Sequence, residues 1–312
     1  MPSGDALPLL YVAGAGRSGS TLLEELFCQR AGYFGVGELV YIWQRGITLN
    51  ERCSCGLAFH DCPFWNDVLN DSFGGIAQAP VERILASQAY VLRMRNIPLL
   101  RAPKTQPPVF RGHVAFLHEQ YSRLYTAIRR RANAAVVVDS TKFASYGHLL
   151  AINPQFDVRV VHLVRDSRAV AHSWQRRVRR PQANELNQYM PVYPVRTSAK
   201  IWMQDNIFAG GLRRHVTHGK LLRYEDLVRD PTVVELLSGL GLPAGDVRPL
   251  DGSNGHSVSG NPVRMAARKS PVRMDTAWAR EMSTSALAVV TALTAPGLLR
   301  YHYRLWPRNL EH

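Results

Sequence analysis

The octet Gly14-Ala-Gly-Arg-Ser-Gly-Ser-Thr21 follows an aliphatic run, residues 9–13, and leads into a helix-like segment, residues 21–31. Three glycines let backbone N–H groups converge on one point, and the helix N-terminus behind them adds positive potential, so the segment suits an anion. Ser20 or Thr21 can add a hydroxyl, and Arg17 supplies the loop's only cation. Gly14 and Gly19 satisfy the triphosphate-binding spacing G-x-x-x-x-G-K-S/T, but Ser20 stands where that loop needs its lysine. An anion other than a nucleoside triphosphate is expected. Gly14, Gly16 and Gly19 also spell G-x-G-x-x-G, with Glu38 nineteen residues beyond Gly19, where a dinucleotide fold places its ribose-binding acid. On the loop alone that reading stays open, as does a turn with no ligand.

A second site of the same kind lies downstream. Residues 158–164 read as a strand and run into Arg165-Asp-Ser-Arg-Ala-Val-Ala-His-Ser173. Arg165 would stand at the strand tip, with Ser173 eight residues on, about two helical turns away. Asp166 as a helix cap with surface ion pairs accounts for the same residues without any ligand. A hydride-transfer dinucleotide needs no second cation there. A nucleotide with two separated anionic groups does.

The pair Arg17-Ser-Gly-Ser-Thr21 and Arg165…Ser173 resembles the two signature elements of sulfotransferases that use 3′-phosphoadenosine 5′-phosphosulfate (PAPS). The segment Leu222-Arg-Tyr-Glu-Asp-Leu-Val-Arg-Asp-Pro231 is similar to the family's Tyr-Glu-Asp segment, so the ordered match runs from about residue 9 to residue 231. The resemblance implies a P-loop-like α/β fold. It implies that Arg17, Ser18, Gly19, Ser20 and Thr21 hold the 5′-phosphosulfate, Arg165 and Ser173 the 3′-phosphate, and that Tyr224 lies near the adenine. Arg rather than Lys at position 17 is similar to tyrosylprotein, carbohydrate and bacterial members. The same family ligand explains both the missing lysine and the second cation.

Sulfuryl transfer is an in-line displacement that needs a base for the incoming hydroxyl and cations for the departing phosphate, by analogy with phosphoryl transfer. Glu38 lies 21 residues after Arg17, an interval that resembles the one to the catalytic Glu of tyrosylprotein-type members, and is the expected general base. A solvated Glu capping the next helix is the bland alternative. Lys142, in Val138-Asp-Ser-Thr-Lys142, resembles the family's Asp-Ser-Ser-Lys motif and is expected at the sulfuryl oxygens, with Arg17 at the leaving oxygen. The Lys-Thr-His segment of phenol-type members is matched only as Lys104-Thr105-Gln106, which leaves Glu38 as the base and His172 as a rival. His256-Ser-Val-Ser-Gly-Asn-Pro-Val-Arg264 resembles a Gly-Asn-Pro segment of bacterial and carbohydrate-type members. It places Asn261 and Arg264 over the nucleotide, with Arg268 and Lys269 as helpers. No Asp, Glu and His cluster accompanies the loops, so no metal is expected in turnover.

Elements must position these residues. Strands are expected at residues 9–13, 135–138, 158–164 and 220–223, and helices at 21–31, 81–95, 114–131, 144–152, 168–180, 197–218 and 276–293. Their alternation predicts one α/β domain, residues 1–312, with a parallel sheet and helices on both faces. Residues 96–112, 181–196 and 243–271 read as long loops, the last a candidate lid over nucleotide or substrate. Trp43, Trp65, Tyr41, Tyr189 and Tyr193 are candidate acceptor-pocket residues, though such aromatics are more often core. Carbohydrate, lipid, secondary-metabolite and phenolic or tyrosyl hydroxyls all fit as acceptors.

The 312 residues carry 38 basic and 24 acidic side chains, a net charge of +14, with 33 Arg against 5 Lys. That excess predicts an anionic partner. Arg129-Arg-Arg131 and Arg176-Arg-Val-Arg-Arg180 read as helix C-termini, favoured there by the dipole, and no nucleic-acid motif accompanies them. The Cys-rich insertion at residues 51–65 holds Cys53, Cys55, His60 and Cys62. Its Cys-x-Cys start lacks the usual zinc spacing, so free thiols or a Cys55–Cys62 or Cys53–Cys62 disulfide are expected rather than a metal. With no leader-like N-terminus and no long apolar stretch, a cytoplasmic protein is expected.

Overall fold

The computed structural model describes residues 6–180, 182–183, 188–247, 255–259 and 274–306. Its centre is β1 (Leu7–Ala13), in which Leu9, Leu10, Tyr11, Val12 and Ala13 are all fully buried. A strand buried on both faces belongs in the middle of a parallel sheet. The chain continues through α1 (Ser20–Cys28), β2 (Tyr33–Gly37), α2 (Pro63–Phe73), α3 (Val81–Val91), α4 (Ile97–Arg101) and α5 (Pro108–Arg131). Then come β3 (Val136–Lys142), α6 (Ala144–Ala151), β4 (Phe156–Val164), α7 (Ser167–Gln175), α8 (Val195–His215) and β5 (Gly219–Arg223). Four helices finish the described chain: α9 (Tyr224–Arg229), α10 (Val234–Gly239), α11 (Trp278–Glu281) and α12 (Thr284–Arg300).

The five strands pair in parallel in the order β2-β3-β1-β4-β5, with Leu9 opposite Val137 on one side and Val158 on the other. Alternation along β1 divides the core. Leu9, Tyr11 and Ala13 join the apolar cluster that holds Val114, Leu117 and Tyr121 of α5 and Leu212 of α8. Leu10 and Val12 join the one that holds Leu22, Leu23 and Phe27 of α1 with Leu227 and Leu237. Helices therefore cover both faces, as the period-2 pattern requires. Successive strands from β1 lie to one side and those after β4 to the other, so the loops leaving β1 and β4 open side by side at the carboxyl edge, where open α/β sheets bind ligands.

Local sequence explains several ends. Pro63 and Pro108 start their helices, where a missing N–H costs nothing. Asp166 caps α7 by accepting from the Arg168 N–H, and Ser283 caps α12 through the Ala286 N–H. The structure corrects several of the expected elements. β2 and α2 were not anticipated, and residues 96–112 are largely helical through α4 and the start of α5. β3 runs on to Lys142, because Asp139, Ser140 and Thr141 stay buried in the strand. α7 ends at Gln175, so Arg176–Arg180 follow the helix instead of forming its last turn. The helix expected at 276–293 is two helices, α11 and α12. Among the described residues no helix is long and apolar enough to cross a membrane.

Candidate active site at the carboxyl edge of the sheet

The turn between β1 and α1 is as tight as its glycines allow. A Cβ on Gly14 would sit 2.2 Å from the Leu163 carbonyl oxygen, and one on Gly19 would sit 2.4 Å from the Tyr224 ring. Gly14 and Gly19 both have positive φ, 145° and 93°, and Arg17 between them has φ 65°, a conformation that non-glycine residues adopt at a cost. Arg17 is thereby aimed across the sheet edge, its guanidinium 5.0 Å from the Trp174 ring centroid. Its Nε and Nη2 and the Ser18 Oγ are buried without a hydrogen-bond partner. Burial holds the Arg17 guanidinium below its ordinary pKa, against the opposing pull of Glu38.

The loop after β4 meets this turn directly. Arg165 Nη1 donates to the Arg17 backbone oxygen at 3.2 Å. The Arg165 guanidinium lies 4.5 Å from the Tyr224 ring centroid, its Nε buried and unpartnered, and its backbone oxygen accepts from Trp202 Nε1 at 2.9 Å. Asp275 Oδ2 takes one Arg165 nitrogen at 3.3 Å. Burial would raise the Asp275 carboxyl, but Arg165, then the Ala277 N–H and Arg176, outweigh it and hold the pKa low. Arg17, Arg165 and Tyr224 are thus brought to one place from three separate strand ends. Ser173 sits half-buried on α7, next to Trp174. Asn261, Arg264, Arg268 and Lys269 lie outside the described residues.

Glu38 and Lys142 form the other half of the site. Lys142, at φ 77°, bonds Glu38 Oε1 and donates to the Ser140 carbonyl at 3.0 Å, and both side chains are only about 15% exposed. Their backbones are braced from behind by Glu24, a buried acid on α1, which accepts from the Gly37 N–H at 2.9 Å and from the Ser140 hydroxyl. Asp139, fully buried, accepts from Tyr125 at 2.5 Å and from the Thr141 N–H at 2.7 Å, and burial pushes its carboxyl up to about 6. Tyr41 lies near Glu38. Burial first, then that carboxylate, push its phenol up to about 12, and its ring meets half-exposed Phe143 edge-on at 5.8 Å.

Other expected positions move away from the chemistry. His172 is paired with Glu281 at 3.0 Å and so is committed elsewhere. Trp43 and Trp65 are fully buried core residues, with Trp43 donating to the Tyr121 hydroxyl, so neither lines an acceptor pocket. Tyr41 and Tyr193 remain beside the site, the latter 4.8 Å from the Trp174 ring. Tyr189 instead stacks under Arg177. Arg130 and Arg131 pair with Asp71 and Asp67 of α2, and Arg180 grips Glu51 with two bonds of 2.8 and 2.9 Å. Those arginines serve as fasteners between elements.

Glu24, Trp174, Asp205 and Asp275 were not singled out in the sequence. Glu24 carried a signal, as an acid inside the apolar run Leu22-Leu-Glu-Glu-Leu26 whose face is buried. Asp205, on α8, is raised to about 7 by burial, with Lys142 pulling the other way. Below that pH Asp205 is mostly neutral, and above it its negative charge acts on Lys142, the partner of Glu38, which would favour release of Glu38 to take a proton if Glu38 is the base. Asp205→Asn is therefore expected to leave kcat/KM unchanged at pH 6 and to lower it about fivefold at pH 8. An equal loss at both pH values in a transfer assay would remove the charge from the explanation.

The protein-family model described as the sulfotransferase family matches residues 8–246, which takes in both loops, Glu38, Lys142 and Tyr224. Among solved structures, the chain is similar to the sulfotransferase domain from the curacin biosynthetic pathway, with 17% identity, a TM-score of 0.51, and coverage of 96% of this chain and 100% of that one. It also matches the sulfotransferase domain of the Synechococcus PCC 7002 olefin synthase, at 18% identity and a TM-score of 0.46 over 98% of this chain and 99% of that one. A third match is the sulfotransferase STF9 from Mycobacterium avium, at 12% identity and a TM-score of 0.45 over 98% of this chain and 79% of that one. No curated protein matches the sequence. A five-stranded parallel sheet wrapped in helices, with its Gly-rich turn and second arginine loop inside a family match of this extent, makes the chain a member of the sulfotransferase family.

Proposed function

We propose that the chain transfers the sulfuryl group of PAPS to an acceptor hydroxyl, with Glu38 as general base. The observation that carries this reading is the meeting of two cations from distant loops, Arg17 and Arg165, beside the Lys142–Glu38 pair. Buried donors without protein partners at Arg17, Ser18 and Arg165 suit a ligand rich in anionic oxygens. PAPS, when bound, supplies an activated sulfuryl group on one end and a 3′-phosphate on the other.

In this reading Arg17, Ser18, Gly19, Ser20 and Thr21 hold the 5′ end, and the Tyr224 ring, packed on Gly19 and under Arg165, takes the adenosine side. Arg165 exchanges Asp275 for the 3′-phosphate, a doubly charged partner for a singly charged one, with Ser173 adding a hydroxyl. Asn261 and Arg264 are proposed to close over the nucleotide. Lys142 has three N–H donors, of which Glu38 and the Ser140 carbonyl take two, so the third serves a sulfuryl oxygen. Glu38 accepts the acceptor's proton, and Arg17 offsets charge on the leaving oxygen. Tyr41, Phe143 and Tyr193 form the aromatic side of the acceptor approach, which suits a sugar ring, a phenol or a lipid-like alcohol.

Thermal shift separates this from the dinucleotide reading. PAP, the desulfated product, at about 100 times its Kd is expected to add about 2.7 kcal/mol of stability and to raise Tm by about 4 °C. NADP⁺ and ATP are expected to do much less, and radiolabelled PAPS should pass its label to at least one acceptor in a panel of sugars, phenols and alcohols. Stabilisation by NADP⁺ with none by PAP would overturn the proposal.

A further inference from the structure

The Cys-rich insertion lies against a segment almost two hundred residues away. Cys62 Sγ is 3.3 Å and Cys53 Sγ 3.8 Å from His256 Nδ1, and Cys55 Sγ is 3.7 Å from Cys62 Sγ. The four ligand atoms all fall within 4.8 Å of one another. Zinc at about 2.3 Å from sulfur and about 2.0 Å from nitrogen gives tetrahedral edges of about 3.5–3.8 Å, which is the scale of these separations. His60, the histidine adjacent in sequence, bonds the Ile47 carbonyl at 2.8 Å and takes no part.

We propose that Cys53, Cys55, Cys62 and His256 bind one structural zinc ion that fastens residues 255–259 to the backbone of Glu38. Three soft thiolates and an imidazole select zinc over hard cations, and four protein ligands close the shell, leaving no open position for catalysis. The site is prepared for its ion. Cys62 is the N-cap of α2, where the helix dipole favours a thiolate. The His256 ring stacks on Phe64 at 4.7 Å and 8°, which fixes the direction of Nδ1. Beside the cluster the Ser54 N–H donates to the Ser257 carbonyl at 3.3 Å, and the Ser54 Oγ accepts from the Ser257 N–H at 2.8 Å. A disulfide would use two of the three thiols and leave His256 without a reason to converge on them.

The consequence reaches the candidate base. Two residues past His256, Val258 donates to the Val36 carbonyl at 3.0 Å and accepts from the Glu38 N–H at 2.9 Å. An ion held by His256 therefore anchors the backbone pair that sets where Glu38 begins. This holds whatever the sulfuryl donor is.

The full chain, purified in reducing buffer without chelator, is expected to carry about one zinc per chain by elemental analysis. Cobalt(II) in its place should show thiolate-to-cobalt charge transfer and tetrahedral ligand-field bands. His256→Ala, folded by circular dichroism, should lose the zinc. Removing the metal from the wild-type chain should strip hydrogen-exchange protection from the Val258 and Glu38 amides while those of β1 stay protected. A wild-type chain that takes up no zinc after incubation with the ion under reducing conditions would overturn the site, and so would an intact mass two hydrogens low, the mark of a disulfide. Full zinc retention by the folded His256→Ala chain would overturn the ligand set, and unchanged amide protection on metal removal would overturn the fastening role.

Discussion

Glu38→Gln is expected to lower kcat for sulfuryl transfer about 10³-fold while PAP still raises Tm by its full amount. The substitution keeps the shape of the side chain and an oxygen that accepts from Lys142, so the Lys142–Ser140 contact and the Glu38 backbone bond to Val258 need not move. What it removes is the carboxylate that the geometry places beside both Arg17 and Lys142. If Glu38 takes the acceptor's proton, the loss falls on the chemical step, because that proton transfer occurs only as the new O–S bond forms. In the proposed reading nucleotide affinity rests on the loop and Arg165, which the variant leaves alone. Single-turnover rates with saturating PAPS, read beside the PAP shift, check both halves. A kcat within about tenfold of wild type would sink the base role, since positioned bases contribute more than that.

Much of this site can be read from residue type and order. Gly14-Ala-Gly-Arg-Ser-Gly-Ser-Thr21 and Arg165 at the end of a β-branched run are local signals, and their strand–turn–helix setting follows from the same residues. β2 was hidden because Tyr33-Phe-Gly-Val-Gly37 is short and holds two glycines, which weaken any strand pattern. The last residues of β3 were hidden for a different reason. Asp139, Ser140 and Thr141 look like a turn, and stay in the strand only because Tyr125 and Glu24 arrive from other helices to meet their polar atoms. That tertiary satisfaction is what carries Lys142 to Glu38, and no local pattern contains it. Asp275 beside Arg165 and His256 beside the thiols are illegible in the same way, being contacts closed over 110 and 194 residues. Trp43 and Trp65 show the reverse error, since an aromatic near a motif says nothing about which way it faces.

Arg17→Ala is expected to cost about 10²–10³ in kcat/KM and yet not to lower the Tm of the ligand-free chain. The two halves have one cause. Arg17 holds a left-handed backbone, and two of its guanidinium nitrogens are buried with no protein acceptor. Among its described contacts, the Trp174 ring lies over it at 5.0 Å and Glu38 acts on its charge from nearby. A cation desolvated this far is a burden on the free protein, so its removal relieves the fold or leaves it unchanged. The same desolvation makes its field strong toward a leaving phosphate oxygen, which is where the kinetic loss should appear. Arg17→Lys should recover part of the rate, because the charge returns without the planar fork. Calorimetry of the ligand-free chains beside transfer kinetics makes the comparison. Were Arg17 a structural fastener, Arg17→Ala would lower Tm and rate together, and Arg17→Lys would restore both.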